Sequence, residues 1–465
     1  MSGSLIEDRA MAIPTPADYT LAPDCERLQH LPGEFGLPLL GITPELLRDQ
    51  LGLARRFYER YGAVSRIQMA RQKGVLALGP DLAQTILLDK EQNFSSQMGY
   101  KWSLSPYFGE YYLLGKDFDE HKFQRRVMQT GFKTAAMRGY VDMMNPILAR
   151  GIADWGHTED FHFYPAIKEL LLAMALKVFY GVDGGSSVAG DLSGAFIDIT
   201  EGMLGLFHVD LPGFRYRRGQ RGKRRVEAYL SGLLPAARRE ERQDMLAYMA
   251  KEVRPDGNLF SDQELVDHAN FLLFAAHDTT TSTLTHMMYY LARYPEWQQR
   301  IREEGSAVND GGELGYDDLA SLPLLEATFF ESQRLHPSVG VMARRTLRDC
   351  KLGGLDVLAN TLVFQFPMFT NRMDNWWQDP DSFDPARFLA PRQEQKSHPF
   401  AFMPFGGGAH KCIGMHFGSM QARLFTHLFL QRYEISLPPG HKASFQTVPL
   451  PKLRDDLPLH LRPLS

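Results

Sequence analysis

The chain is short of cysteine: its 465 residues hold three, Cys25, Cys350 and Cys412. An odd, widely spaced set builds no disulfide framework. It suits a reducing compartment, where a lone thiol serves as ligand or nucleophile. Charge of one sign is also lacking. Lys and Arg number 51 against 55 Asp and Glu, a formal net charge of −4, which argues against nucleic acid as the main partner. No stretch approaches the roughly 18 uninterrupted apolar residues of a membrane span. The most apolar candidate, Phe271 to Ala276, is short and flanked by polar residues. The first twenty residues carry Glu7, Asp8 and Arg9 within their only mildly apolar part, so they read as neither signal peptide nor span. A cytoplasmic protein is expected.

What is present is a globular composition on a chain long enough to bury a large core and enclose a deep cavity. Residues 1–30 read as an arm. Leu31 to Gly41 is a Pro/Gly-rich entry segment. Thr43 as a cap and Pro44 at the first helical position predict a helix over 43–61. Arg66 to Gly79 reads as a hairpin. From Pro80 to Leu335 the pattern is mostly helical. Strand-like pieces return between Ala343 and Phe366 around a turn at Gly353-Gly354. A Pro- and aromatic-rich meander, Asn371 to Phe388, leads to a Gly-rich loop and a helix from about Cys412 to Arg432. The expectation is a mainly α fold with small β-sheets. No linker interrupts it, so residues 31–465 are expected to form a single large domain.

The sharpest local signal is Phe405-Gly-Gly-Gly-Ala-His-Lys-Cys412-Ile-Gly414. Consecutive glycines let the backbone turn tightly and admit a large flat ligand. Cys412 stands just before a helical run, where backbone N–H groups stabilise a thiolate. A lone cysteine is more often a buried, inert thiol; the glycines and Phe405 at this spacing argue otherwise. A second signal is Glu331-Ser-Gln-Arg334, with Glu and Arg on one helix face, and Arg387 in the later meander. The third is Phe271 to Thr281, FLLFAAHDTTT, where small Ala275 and Ala276 precede Asp278 and Thr279. Residues 271, 275, 278, 279 and 282 are expected on one face. Threonine hydroxyls there compete for helix carbonyls. A fourth, weaker signal is His121 and Arg125, one helical turn apart.

These segments, in this order, resemble the cytochrome P450 superfamily. Phe405, Gly408, Cys412 and Gly414 match its Phe-x-x-Gly-x-x-x-Cys-x-Gly loop at every defined position. The resemblance implies a P450 fold and a haem b whose iron is ligated by Cys412. It implies propionate partners at His410, His121, Arg125 and Arg344, with Arg345 able to replace Arg344. Phe405, Gly406 and Gly414 would border the porphyrin, with Ala275 lying close to it. Asp278 and Thr279 match the acid–alcohol pair that relays protons, although Ala276 replaces the usual second glycine. Glu331, Arg334 and Arg387 match the family's structural charge triad.

The implied activity is a haem-thiolate monooxygenase placing one atom of O2 into a C–H bond of a sizeable hydrophobic substrate: steroid, terpenoid or fatty-acid-like. Aromatics between Tyr100 and Tyr112, with Ile197 to Phe207 and Val339 to Met342, would face that substrate. No flavin or iron–sulfur segment follows the last helix. Electrons are therefore expected from a separate ferredoxin and ferredoxin reductase, with Lys411 and Arg423 read either as docking cations or as ordinary surface charges. A monomer is expected. A peroxygenase or rearrangement catalyst, and a non-catalytic haem sensor, stand as alternatives. The entry segment and haem loop look more like the sterol-demethylase and retinoid-hydroxylase side of the superfamily. Asp278, however, stands where sterol demethylases typically have His. The basic run Arg215 to Arg225 reads as a solvated helix face, with anionic lipid contact as the weaker reading.

Overall fold

A computed structural model describes residues 28–464 except 184–185, 206–207, 243, 255 and 311. Cys25 and most of the N-terminal arm therefore lie outside the described residues. The entry segment leads into α1 (Thr43–Arg48) and α2 (Gln50–Tyr61). The helix expected over 43–61 is thus two. The chain breaks at Asp49, where φ −155° and ψ 87° leave the helical region. The Asp49 carboxylate then caps α2 by accepting from the Gly52 N–H at 2.9 Å. Thr43 does not cap α1 either. Its hydroxyl accepts from the Ala70 N–H at 2.6 Å, pinning the helix to the following hairpin.

That hairpin is β1 (Val64–Met69) and β2 (Gln72–Ala77). Next come α3 (Pro80–Leu88), β3 (Phe94–Ser95), α4 (Ser96–Tyr100), α5 (Ser105–Phe108) and α6 (Phe118–Gln129). A helical stretch follows: α7 (Thr134–Ile152), α8 (Phe163–Tyr180), α9 (Ser186–Met203), α10 (Arg215–Arg239), α11 (Met245–Lys251), α12 (Asp262–Arg293), α13 (Pro295–Asn309) and α14 (Pro323–Leu335). Strands β4 (Met342–Thr346), β5 (Cys350–Leu352), β6 (Leu355–Val357) and β7 (Leu362–Gln365) precede α15 (Pro367–Thr370) and α16 (Met415–Arg432). Short strands β8 (Tyr433–Ser436), β9 (Phe445–Gln446), β10 (Lys452–Leu453) and β11 (His460–Pro463) close the chain.

One five-stranded sheet runs in the order β1-β2-β7-β4-β3, with β2 and β7 parallel. Its period-2 alternation feeds two apolar clusters. Leu76, Leu78 and Phe364 pack with Phe57 of α2 on one face, while Val75, Ala77 and Val363 pack with Leu82 and Ile86 of α3 on the other. The larger core lies among the helices and runs through α7, α8, α12 and α16. At its centre is α12, opened by a reciprocal cap. The Ser261 hydroxyl accepts from Glu264 N–H, and the Glu264 carboxylate accepts from Ser261 N–H at 2.8 Å. Such a box stabilises a helix start by satisfying two orphan donors. None of the described helices is long and apolar enough to cross a membrane.

Candidate active site

The loop before α16 takes its shape from its glycines. Gly406 and Gly408 adopt φ +66° and +62°, a region that side chains with Cβ rarely occupy. A Cβ on Gly408 would lie 1.7 Å from the Leu87 carbonyl oxygen at the end of α3. Gly407 has an extended φ, but its Cβ would meet the Phe400 ring at 2.5 Å. The loop closes when Cys412 N–H donates to the Phe405 carbonyl at 2.9 Å. Cys412, three residues ahead of α16, stays accessible to solvent although protein surrounds it on most sides. Burial by the surrounding protein pushes its thiol pKa up. The Gly414 N–H and the charges of Arg125 and Lys411 pull the other way. A bound metal would supply the remaining counter-charge that a thiolate needs.

Four more of the expected residues converge beside this loop. His121 and Arg125 of α6, Arg344 of β4 and His410 line one cavity of about 820 Å³ with Gly408 and Ala409. The rings of His121 and His410 lie 3.9 Å apart. Burial, then the charges of Arg125 and Arg344, pushes His121 down to about 4. Burial, then Arg344, His121 and Arg125, holds His410 well below its ordinary value. Nδ1 of His410 is buried with no protein partner. Asp117 is the carboxylate nearest His410, 4.0 Å from its Nε2, but it accepts from the Ser95 hydroxyl and the Ser96 N–H, which leaves the guanidiniums of Arg125 and Arg344 to offer carboxylates of a ligand. Strand alternation separates Arg344 from its neighbour. Arg345 turns the other way, donating to the Asn360 side-chain oxygen at 2.9 Å.

The charge triad is complete and buried. Arg334 donates to Glu331 at 2.7 and 2.8 Å, and Arg387 Nε donates to the same carboxylate at 3.1 Å. Both guanidiniums also reach backbone carbonyls of the meander, among them that of Ser382. Every charge is hydrogen-bonded, the condition under which a buried set is tolerated. The triad fastens α14 to the segment that leads into the cysteine loop.

On α12 the expected single face divides. Phe271, Ala275, Ala276 and Thr279 are half-buried, whereas Asp278 and Ser282 are buried elsewhere. Ser282 donates to the Pro451 carbonyl at 2.6 Å. The Thr279 hydroxyl donates to the Ala275 carbonyl at 2.7 Å, and Ser338 donates to the Thr279 carbonyl at 3.0 Å. Asp278 does not share the half-buried face of Thr279. Its carboxylate is hydrogen-bonded and ion-paired with Lys168 of α8. Lys168 is a functional candidate that sequence reasoning missed. The available signal was a lysine of the largely apolar α8 one turn before Leu171 and Leu172, both buried. A charge so placed needs a partner. The aromatic segment expected to face substrate is moored to α12. Asp267 accepts from the Glu110 N–H at 2.9 Å and Asn270 donates to the Tyr107 carbonyl at 3.1 Å. Phe108 and Tyr112 then pack on Phe271 at 5.4 and 4.9 Å. Of the two proposed docking cations, Lys411 is exposed. Arg423 is largely enclosed and donates to the Leu319 carbonyl at 2.9 Å.

The residues present fit a haem. Among the described residues, no three His, Cys, Asp or Glu side chains group to hold a bare metal ion. A lone exposed thiol therefore suits a metal that brings its other ligands with it. The basic cluster suits the carboxylates of such a macrocycle, and the small side chains of Ala275 and Ala276 leave room for its flat face. Fold and site together define a haem-thiolate oxidoreductase.

The comparisons agree. A family profile for cytochrome P450 matches residues 31–206 and 223–453. The chain is 37% identical over 441 residues to "Putative cytochrome P450 136" of Mycobacterium tuberculosis, covering 94% of this chain and 89% of that one. It is 27% identical to "Putative cytochrome P450 120" of Synechocystis, over 93% and 97% of the two chains. It is 26% identical to sterol 14-demethylase of Arabidopsis thaliana, over 86% and 84%. The solved structure titled "Retinoic acid bound cyanobacterial CYP120A1" superposes with a TM-score of 0.85 at 26% identity, covering 93% of this chain and 99% of that one. This chain belongs to the cytochrome P450 family, and is in general terms a haem-thiolate monooxygenase.

Proposed function

We propose that the protein hydroxylates a neutral, isoprenoid-derived substrate of steroid or terpenoid class, as a cytoplasmic monomer fed by a separate ferredoxin and ferredoxin reductase. The carrying observation is the half-buried face of α12. Phe271, Ala275, Ala276 and Thr279 present no charge, and the aromatic side chains of Phe108 and Tyr112 pack on it. A wall of this kind favours a large apolar molecule and offers no ion pair for a strongly charged one. The names of relatives support the isoprenoid skeleton: a sterol 14-demethylase, a taxane 10-beta-hydroxylase at 25% identity, and a structure holding retinoic acid, which adds a carboxylate to such a skeleton.

Cys412 would hold the haem iron, and His121, Arg125, Arg344 and His410 its propionates. The haem, when bound, supplies oxygen activation and atom transfer. The protein's own residues orient substrate and handle protons. Thr279 lines the groove with a hydroxyl fixed on the Ala275 carbonyl, and Asp278 supplies the acid. The test is a panel of steroids, diterpenoids, fatty acids and polar aromatics, titrated into haem-loaded protein while the ferric absorption spectrum is followed. Steroids or diterpenoids should shift the iron to high spin at micromolar concentration. A shift confined to fatty acids or to polar aromatics overturns the assignment.

A further inference from the structure

The hairpin of β9 and β10 is too short to hold itself in place. Two residue pairs make it, Phe445 with Leu453 and Gln446 with Lys452, and an isolated pair of strands is at best marginal in water. Its position is set by what it leans on. The Ser282 hydroxyl of α12 donates to the Pro451 carbonyl at 2.6 Å. The Phe445 ring lies on the ring of His336, just past α14, with centroids 4.5 Å apart and planes 28° from parallel. His336 lies in turn on His286 of α12, at 4.3 Å and 13°. Three rings from three parts of the chain thus form one stack, with the Tyr289 ring meeting Phe445 edge-on at 5.5 Å.

Both imidazoles are neutral near pH 7, which lets them stack without repelling each other. Nδ1 of His286 lies 2.8 Å from the Ser282 carbonyl, which only accepts, so this nitrogen carries the proton. Nε2 of His336 meets the Tyr290 hydroxyl at 3.0 Å. Burial pushes His286 down to about 4, the Ser282 carbonyl opposing the shift and Arg372 adding to it. Burial, then His286, Arg372 and Arg334, holds His336 well below its ordinary value. What the stack carries is the turn at residues 447–451. A Cβ on Gly340 would lie 2.9 Å from the Thr447 carbonyl oxygen. Val448 packs, with Val341 and Tyr100, on the cluster of Leu53, Phe57 and Phe366. Ser338, two residues before Gly340, donates to the Thr279 carbonyl. The turn is therefore laid against the short segment that borders Thr279 and the groove.

We propose that His336 and His286 are a platform for Phe445, and that these three rings are positioning residues for the turn at 447–451, fixing how far it reaches toward the groove and so which large ligands fit. The inference rests on the reading of the half-buried face of α12 as the substrate wall, and it does not need the isoprenoid assignment. Two residue pairs of strand are too slight to place the turn. With the Phe445 ring seated, the turn stands as a fixed wall, and a bulky ligand meets it without a further cost of ordering. With the ring unseated, the ligand must order the turn itself and binds less tightly. A small ligand that never reaches the turn is indifferent to the change.

The experiment uses haem-loaded protein and the variants Phe445→Leu, Phe445→Tyr, His336→Leu, His336→Phe and Phe445→Leu/His336→Leu. Two ligands that bind iron through an imidazole nitrogen are titrated while the red shift of the Soret band is followed: imidazole itself, and clotrimazole, an imidazole bearing three aryl groups. Phe445→Leu and His336→Leu should each weaken clotrimazole relative to imidazole by about fivefold. Phe445→Tyr and His336→Phe keep a ring at each position and should retain the native ratio. The double variant should lose no more than the larger single loss, because both changes remove one shared contact. Amide hydrogen exchange over 443–453 should quicken by about tenfold in the leucine variants, with α16 unchanged. Phe445 is half-buried, so its two variants decide the matter even if His336→Leu fails to load haem. A native ratio in Phe445→Leu, equal weakening in Phe445→Tyr, or losses that add in the double variant overturns the platform. Absence of any shift with imidazole in the native protein overturns the haem site and this inference with it. Ratios that move as expected, while steroids and diterpenoids leave the spin state unchanged, support the platform and overturn only the substrate class.

Discussion

The loop that carries Cys412 and the helix that carries Asp278 and Thr279 reach their geometry by opposite routes. The loop is made locally. Two glycines at positive φ, a third with no space for a Cβ, and a hydrogen bond from Cys412 to Phe405 fix its path within eight residues. The helix is made at long range. Its back is held by Lys168 from 110 residues upstream, and its carbonyls by Ser338 and its own threonine hydroxyls. A ligand held by one covalent contact needs an invariant backbone frame. A proton donor set in the core is held by partners that other elements supply. The difference also sets how each region should fail when altered.

The largest effect should come from Cys412→Ala. Reduced native protein under carbon monoxide should show the red-shifted Soret band of thiolate-ligated haem, and the variant should lose it entirely. A retained band in haem-loaded variant would remove Cys412 from the iron. Gly408→Ala should come next, and would break the frame while leaving every functional side chain in place. The added Cβ meets a backbone carbonyl that cannot move aside, at a φ that alanine disfavours. A loss of about 3 kcal/mol or more is expected in urea unfolding, with weakened haem retention. A native-like midpoint would mean that the loop is softer than its glycines imply.

The same contrast explains what the sequence disclosed. The cysteine loop was legible because glycine and cysteine at fixed spacing carry their conformation with them. The charge triad was legible in part. Glu331 and Arg334 share a helix face, but only resemblance supplied Arg387, which lies 56 residues from Glu331. Choosing between Arg344 and Arg345 needed the phase of β4, which a five-residue strand buried along its whole length does not reveal. Asp278 was identified as an acid, yet placed on the face of Ala275 and Thr279. Helical spacing cannot show that a lysine from α8 claims the carboxylate first. The break at Asp49 was hidden for a similar reason. Thr43 looks like a cap until the Ala70 N–H takes its hydroxyl.

The smallest effect, and the most discriminating one on the helix, is expected from Thr279→Ala. Thr279 and Thr280 are adjacent and bonded alike, their hydroxyls donating to the carbonyls of Ala275 and Ala276 at 2.7 and 3.1 Å. They differ in what they face. Thr279 is half-buried on the groove. Thr280 is buried toward α16, its hydroxyl 3.9 Å from where a Cβ on Gly418 would stand. Alanine is the better helix former by about 0.5 kcal/mol, so neither substitution should unfold α12. Thr279→Ala should then lower product formed per electron consumed by about tenfold, with a corresponding rise in peroxide. Thr280→Ala should leave that ratio near native and change only the packing of α12 on α16. Equal ratios in the two variants would mean that the hydroxyls act through the helix backbone they share, and that the groove owes its chemistry to shape alone.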